Sequence, residues 1–77
     1  MIVYIYDLKS TIKDYNRLKR NFYYYLNKYG YNQYFRDTKS VLVVPDDMER
    51  AMDSFFADFK KFVVGYKIRT DSIEELE

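Results

Sequence analysis

Hydrophobic residues along this chain switch between the alternating spacing of strands and the three-to-four-residue spacing of helices. A short apolar run over residues 2–6 predicts a strand that ends at Asp7. A stripe at helical spacing follows over about residues 12–29, and Gly30 comes directly after it, as a C′ residue would. The beginning of the chain is therefore expected to form a strand followed by a long helix.

Three further strands and a second helix are predicted after this helix. Residues 32–36 alternate weakly, and the turn-forming residues 37–39 connect them to a β-branched run over residues 40–44, which predicts a hairpin. A second helical stripe, begun by acidic capping residues, covers about residues 46–62. Residues 64–70 then alternate as a half-buried edge strand would.

The order of these elements predicts an α+β fold, a ferredoxin-like βαββαβ domain over residues 1–70. Its sheet is expected to have four antiparallel strands in the order 4-1-3-2. Right-handed crossovers would place both helices on one face and leave the other face open. Residues 71–77 form an acidic tail that is expected to fray or to form one helical turn.

Composition narrows the chemistry. The 77 residues include neither Cys nor His, which excludes disulfides, thiolate zinc sites and imidazole catalysis. No apolar run reaches the length of a membrane span, so a cytoplasmic protein is expected. The net charge is +1, but residues 1–39 carry eight basic against three acidic side chains, giving +5, and the rest carry five against nine, giving −4. Charge is therefore segregated along the chain.

Asp7 is the candidate catalytic and metal-binding residue. A carboxylate at the end of a buried strand, beside a helix N-terminus, suits Mg²⁺, which prefers one or two carboxylates completed by water and phosphate oxygens. The structural alternative is that Asp7 orders the turn through residues 9–11. One carboxylate makes a poor metal site unless a second copy of the chain supplies its twin.

Two surfaces are candidates for binding nucleic acid. The outer face of the first helix presents the residues Lys13, Arg17, Arg20, Tyr24 and Lys28. On the open sheet face, Lys67 and Arg69 are the next candidates, in a pattern of cations and aromatic rings that single-stranded nucleic-acid binders use. The acidic second helix is expected to lie alongside the first, where it would neutralise part of this charge or bind a protein partner.

The aliphatic third strand predicts self-association. A strand of Val and Leu over residues 41–44 cannot stack bases, so burial of the open sheet face in a homodimer is favoured over RNA binding there. The predicted interface consists of Tyr4, Tyr6, Val41 and Val43.

The pattern of elements over residues 1–70 resembles the small dimeric CRISPR-associated adaptation protein and the related virulence-associated type D ribonuclease toxins. The resemblance is carried by Tyr6-Asp7-Leu8, Gly30, the run from Lys39 to Val44, and Ala51. It implies a ferredoxin-like homodimer with Asp7 near the twofold axis, where that family's aspartate has been proposed to bind Mg²⁺ for phosphodiester cleavage. The chain departs from the family in its short acidic C-terminal segment and in the lack of a further acid between Asp7 and Asp14.

These observations favour a binding protein over an enzyme. We expect a small homodimer, of phage or mobile-element type, that binds DNA or RNA or a protein that handles nucleic acid, and that requires no cofactor. One alternative is a Mg²⁺-dependent endonuclease that uses paired Asp7 residues. Another is an inhibitor that presents its acidic second helix to a protein partner.

Overall fold

Three antiparallel strands of seven residues form a sheet, and two helices pack on one of its faces. The computed structural model describes residues 1–36 and 38–76. Its elements are β1 (Ile2–Leu8), α1 (Tyr15–Lys28), β2 (Phe35–Arg36), β3 (Thr38–Val44), α2 (Glu49–Asp58) and β4 (Val63–Arg69). Single 3₁₀ turns at Tyr31–Tyr34 and Asp46–Met48 precede β2 and α2.

β1 is the middle of the three long strands. It pairs with β3 on one side, where Ile5 lies opposite Val41, and with β4 on the other, where Ile5 lies opposite Tyr66. With the short β2 at the outer edge of β3, the strands run in the order β2-β3-β1-β4. Both helices connect strands by crossing the same face, so the opposite face carries neither of them.

The prediction of a complete four-stranded ferredoxin-like sheet is wrong. Only the two residues of β2 pair with β3, and Tyr31–Tyr34 form a 3₁₀ helix in place of most of the strand predicted over residues 32–36. The Gln33 side chain closes this turn by donating a 2.9 Å hydrogen bond to the Gly30 carbonyl. Tyr31 packs edge-on against Phe55 of α2, at 5.7 Å between ring centroids. Aromatic packing thus draws this segment to the helices and away from the plane of the sheet.

Several boundaries also differ from the prediction. The acid that was expected inside the first helix, Asp14, instead adopts a left-handed conformation with φ of 62° directly before α1, and its carboxylate pairs with Arg17. The second helix is shorter than predicted and ends at Asp58. Asp37, part of the predicted turn, and Glu77, the end of the acidic tail, lie outside the described residues.

The core lies between the sheet and the helices and is mainly aromatic. Phe22 of α1 is fully buried, and its ring lies 5.5 Å from that of Tyr6 and 5.2 Å from those of Phe55 and Phe59. Such offset and tilted ring pairs add favourable electrostatic contacts to the burial of large apolar surfaces. A chain of this length therefore obtains a well-filled core from few residues.

Tyr4 and Tyr6 belong to this core, so the prediction that they lie on the open face is wrong. Each is 5% exposed, and the ring of Tyr4 stacks on Phe56 of α2 at 5.1 Å. The residues between them, Val3 and Ile5, are turned to the other side because side chains alternate along a strand. The β1 sequence is apolar on both faces, so its pattern alone could not decide which set faces the helices.

Neither helix in the part of the chain described here is long and apolar enough to span a lipid bilayer.

Gly65 of β4 is required by the close approach of β1. A Cβ atom at this position would lie 2.8 Å from both the Cα and the Cβ of Tyr6, and closer still to the carbonyl oxygen of Ile5. We expect Gly65→Ala to lower the free energy of unfolding by about 1–3 kcal/mol, because relieving this clash must move the strand backbone. Denaturant unfolding would measure the change. Ser40→Ala, at an exposed site of β3, is the control and is expected to cost less than about 1 kcal/mol.

Candidate nucleic-acid interface

The outward side of α1 and of the turn before it is strongly basic. Burial of Phe22 and Leu26 in the core fixes which side of the helix meets solvent. The basic residues on that side and their neighbouring tyrosine, Lys13, Arg17, Lys19, Arg20, Tyr24 and Lys28, are all exposed and are named here the α1 surface. Lys19, which the sequence places adjacent to this row, is three residues from the buried Phe22 and therefore lies at the edge of the surface.

Exposed tyrosines continue this surface at the C-terminal end of the helix. Tyr24 is 60% exposed and meets Tyr25 edge-on at 5.1 Å between centroids. The Lys28 ammonium lies 5.9 Å from the Tyr24 ring and 5.8 Å from the Tyr25 ring, within cation–π range. This end of the helix therefore combines positive charge with exposed π-faces.

The acids of α2 do not neutralise the α1 surface, contrary to the prediction of ion pairs between the helices. Glu49 accepts hydrogen bonds of 2.6 Å from both Lys67 and Arg69 of β4, and Asp53 accepts one of 2.8 Å from Lys67. Within residues 1–36 and 38–76, the ion pair of the α1 surface is the local one from Arg17 to Asp14, at 3.3 Å. Most of the positive charge of α1 thus remains available to a ligand.

Lys67 and Arg69 were predicted to lie on the open sheet face, and this prediction is wrong. Cross-strand pairing places them beside Tyr4 and Ile2, whose side chains are buried on the helix side. Their charges are directed at α2 in the ion pairs with Glu49, which makes them poorer candidates for contacting phosphate.

The ion pairs between α2 and β4 form one hydrogen-bonded cluster. Hydrogen bonds from Lys67 and then Arg69 lower the pKa of Glu49. Burial acts to raise the pKa of Asp53, but hydrogen bonds from Lys67 and Tyr4 outweigh it and lower that pKa. The same contacts raise the pKa of Lys67. All three groups therefore stay charged over a wide pH range.

Tyr4 ties this cluster to the central strand. Its hydroxyl donates a 2.7 Å hydrogen bond to Asp53, and burial together with that hydrogen bond raises the pKa of Tyr4. A cleft of about 340 Å³ lies next to it, between α2 and β4, where Gly65 leaves space. The charged groups at this cleft are Asp53 and Lys67, which already pair with each other, and Lys60. The rest of its lining is mainly aromatic and aliphatic.

Asp7 lies within β1 and not at its end, since the strand continues to Leu8. Its side chain is exposed, and its carboxylate accepts a 3.0 Å hydrogen bond from the backbone N–H of Leu8. Among the residues that the structure describes, no group of three or more acids is placed to hold a metal ion. The part of the chain that the structure describes therefore assembles no three-ligand metal site around Asp7.

Val41 and Val43 lie on the face of the sheet away from the helices. They pair with Ile5 and Val3 of β1 and are both half-buried. Their predicted partners in an interface, Tyr4 and Tyr6, lie on the opposite face, so the four residues do not form one surface.

No known protein family, curated protein or solved structure matches this chain. The resemblance to the CRISPR-associated adaptation protein therefore stays a prediction. Inferences about function depend on the geometry and charge of the chain itself.

The cluster at Lys67 predicts how stability depends on pH. The pKa values of Glu49 and Asp53 are lowered on folding. Their contribution to the stability of the folded protein is therefore present above about pH 4 and is lost as the pH falls through the lowered pKa values. Since the pKa of Lys67 is raised, its contribution is full below about pH 10 and is lost at higher pH. We expect Lys67→Met to lower the melting temperature near neutral pH. The melting temperature of this variant should then decrease less than that of the unmodified protein at acidic and at alkaline pH.

Thermal unfolding followed by circular dichroism between about pH 3 and pH 11 would test this. Lys61→Met removes the same charge at an exposed site and serves as the control. Equal losses of melting temperature in the two variants would show that the cluster contributes nothing specific.

The structure also changes the expectation for Asp7→Asn. Because this carboxylate is exposed and its hydrogen bond is local, we expect the free energy of unfolding to change by less than about 0.5 kcal/mol, both with and without Mg²⁺. Denaturant unfolding would measure this beside Asp71→Asn, another exposed acid. If the unmodified protein cleaved RNA or DNA in the presence of Mg²⁺, and Asp7→Asn did not, the hydrolytic alternative would be favoured.

Proposed function

We propose that this protein binds nucleic acid through the α1 surface. The observation that carries this proposal is that Glu49 and Asp53, two of the three acids of α2, are held by β4, which leaves a row of cations on α1 available to phosphates. Exposed lysines and arginines on one helix bind the phosphate backbone by releasing its counterions, irrespective of sequence.

The size and shape of α1 suit such contacts. Its 14 residues extend for about 21 Å, since a helix rises about 1.5 Å per residue. The basic residues are distributed from the turn before α1 to its last residue, Lys28, so a nucleic-acid backbone lying along the helix would meet positive charge over its whole length. Basic side chains near the C-terminus also favour the helix itself, through its dipole.

The tyrosines near Lys28 favour single-stranded over double-stranded nucleic acid. Bases in a duplex are stacked on one another, whereas unpaired bases can stack on exposed rings such as those of Tyr24 and Tyr29, which are 60% and 55% exposed. A basic track with aromatic rings at one end is the combination that such proteins use. Base-specific readout is not part of the proposal.

The alternative of an inhibitor that presents α2 has less support. Two acids of that helix, Glu49 and Asp53, are engaged by Lys67 within the same chain. A partner binding to these carboxylates would first have to displace the ammonium group that already holds them. The remaining acids at the start of this segment are explained by the favourable interaction of negative charge with a helix N-terminus.

Charge reversal of the α1 surface tests the proposal. Arg17→Glu combined with Arg20→Glu is expected to abolish binding of labelled oligonucleotides about 20 nucleotides long, measured by fluorescence anisotropy. Binding by the unmodified protein is expected to be tighter for single strands than for duplexes. The logarithm of the association constant should fall by about 0.7 per phosphate contact for each unit increase in the logarithm of salt concentration, for single strands.

The control variant, Arg50→Glu with Lys60→Glu, makes the same change in net charge at exposed residues outside α1. It is expected to retain most of the affinity. Binding that is lost equally in both double variants would indicate a nonspecific effect of net charge. Failure of the unmodified protein to bind any oligonucleotide at about 50 mM salt would refute the proposal.

A further inference from the structure

The face of the sheet away from the helices is largely apolar, although a sheet face in contact with water normally carries polar side chains. An antiparallel sheet with one solvated face usually alternates apolar residues inward and polar residues outward. Here the outward positions of the long strands are mostly aliphatic or aromatic. This face, named the open face, carries Val3 and Ile5 of β1, Val41 and Val43 of β3, and Val64, Tyr66 and Ile68 of β4. Its charged residue in β1 is Asp7, which is exposed at one end of the face, opposite Val64.

The strand register arranges these residues in continuous rows across the sheet. Val3 lies between Val43 and Ile68, and Ile5 lies between Val41 and Tyr66. Residues paired in this way have neighbouring side chains on the same face. The open face is therefore a flat apolar surface without charges among its two central rows.

The acidic tail reaches the outer edge of the sheet. Its Glu75 lies 3.7 Å from the guanidinium of Arg36 in β2. The tail leaves β4 at Thr70, which is hydrogen-bonded to Met1, and must cross the sheet to reach the β2 edge. It forms no helical turn within residues 70–76, so one of the two conformations expected for it is not observed there, and its apolar residue Ile73 is half-buried.

One end of the open face is exposed to solvent. Val3 is only 8% exposed, whereas Ile5 is 41%, Ile68 45%, Val64 54% and Tyr66 77% exposed. Exposed apolar side chains that lie together in this way mark interaction surfaces more often than isolated ones do.

We propose that a second copy of this chain packs its own open face against this exposed end. The two central rows carry no charged side chain and offer an acidic or basic partner nothing to pair with, and Asp7 borders them at one end, opposite Val64. Two apolar sheet faces, in contrast, complement each other and pack about 10 Å apart. The same patch on both copies also satisfies the twofold symmetry of a homodimer. The interface residues are then Ile5, Val41, Val64 and Tyr66, and not the tyrosines of the core.

The exposed area is of the size that a dimer needs. A standard interface buries about 800 Å² per partner and is about 60% apolar, so each copy must supply roughly 500 Å² of apolar surface. Tyr66 alone offers on the order of 150–200 Å². The exposed aliphatic side chains around it supply most of the remainder.

Face-to-face packing would also determine how a dimer binds nucleic acid, an inference that rests on the proposed function. The helices would lie on the two outer sides of the dimer, because each copy turns its sheet inward. The two α1 surfaces would then point in opposite directions, so that one dimer could hold two separate strands.

Sedimentation equilibrium without nucleic acid tests the dimer independently of that function. The 9.5 kDa chain is expected to sediment as a dimer at about 100 μM. Ile5→Lys and Tyr66→Lys are each expected to shift it to the monomer, while Tyr24→Lys, at a similarly exposed tyrosine on the helix side, leaves the dimer intact. A monomeric unmodified protein at this concentration would overturn the proposal.

The two variants separate packing of faces from pairing of edges. Ile5 lies on the central strand, whereas Tyr66 lies on the edge strand. If Tyr66→Lys dissociates the dimer and Ile5→Lys does not, the two copies are joined through their β4 edges. That outcome would overturn the proposal. Circular dichroism checks that each variant is folded. If Ile5→Lys does not fold, NMR of the unmodified protein with a soluble paramagnetic agent tests face-to-face packing instead, because the agent broadens the signals of solvent-accessible methyl groups. The Ile5 and Val41 methyl groups should be shielded in the dimer and accessible after dilution, and accessibility at both concentrations would refute face-to-face packing.

Discussion

The placement of Lys67 between Glu49 and Asp53 determines much of the surface of this protein. Since side chains alternate along β4, directing Lys67 and Arg69 at α2 turns Val64, Tyr66 and Ile68 to the other face. The same contacts occupy the carboxylates of Glu49 and Asp53 in α2. One polar cluster thus leaves both an apolar sheet face and a basic helix for interactions with other molecules.

The aromatic core explains how so short a chain can support these exposed surfaces. Phe22 and its neighbouring rings fill the space between the sheet and both helices, and Tyr6 joins them from β1 while donating a 2.6 Å hydrogen bond to the Lys39 carbonyl. Buried tyrosines contribute ring area and still satisfy their hydroxyl groups. The core cluster lies between the helices and one face of the sheet, so the other face is available for contact.

Charge and apolar surface are separated in space. The basic α1 surface lies on the helix side, the open face on the other, and the acidic tail along the border of the open face, where Glu75 meets Arg36. If two copies pack through their open faces, like-charged α1 surfaces are kept far apart. Nucleic-acid binding and self-association then use different surfaces and do not compete.

Local periodicity was sufficient to predict α1, α2 and the three long strands, because burial of one helix stripe and the β-branched runs are properties of neighbouring residues. It also identified the basic row that includes Arg17 and Arg20. It could not assign the faces of β1, whose sequence is apolar on both sides, nor predict that Tyr31 packs on Phe55 and replaces most of a strand by a turn. The partner of Lys67 was equally beyond the sequence, since residues 14 and 18 positions away in the chain meet it only after the sheet and α2 have packed.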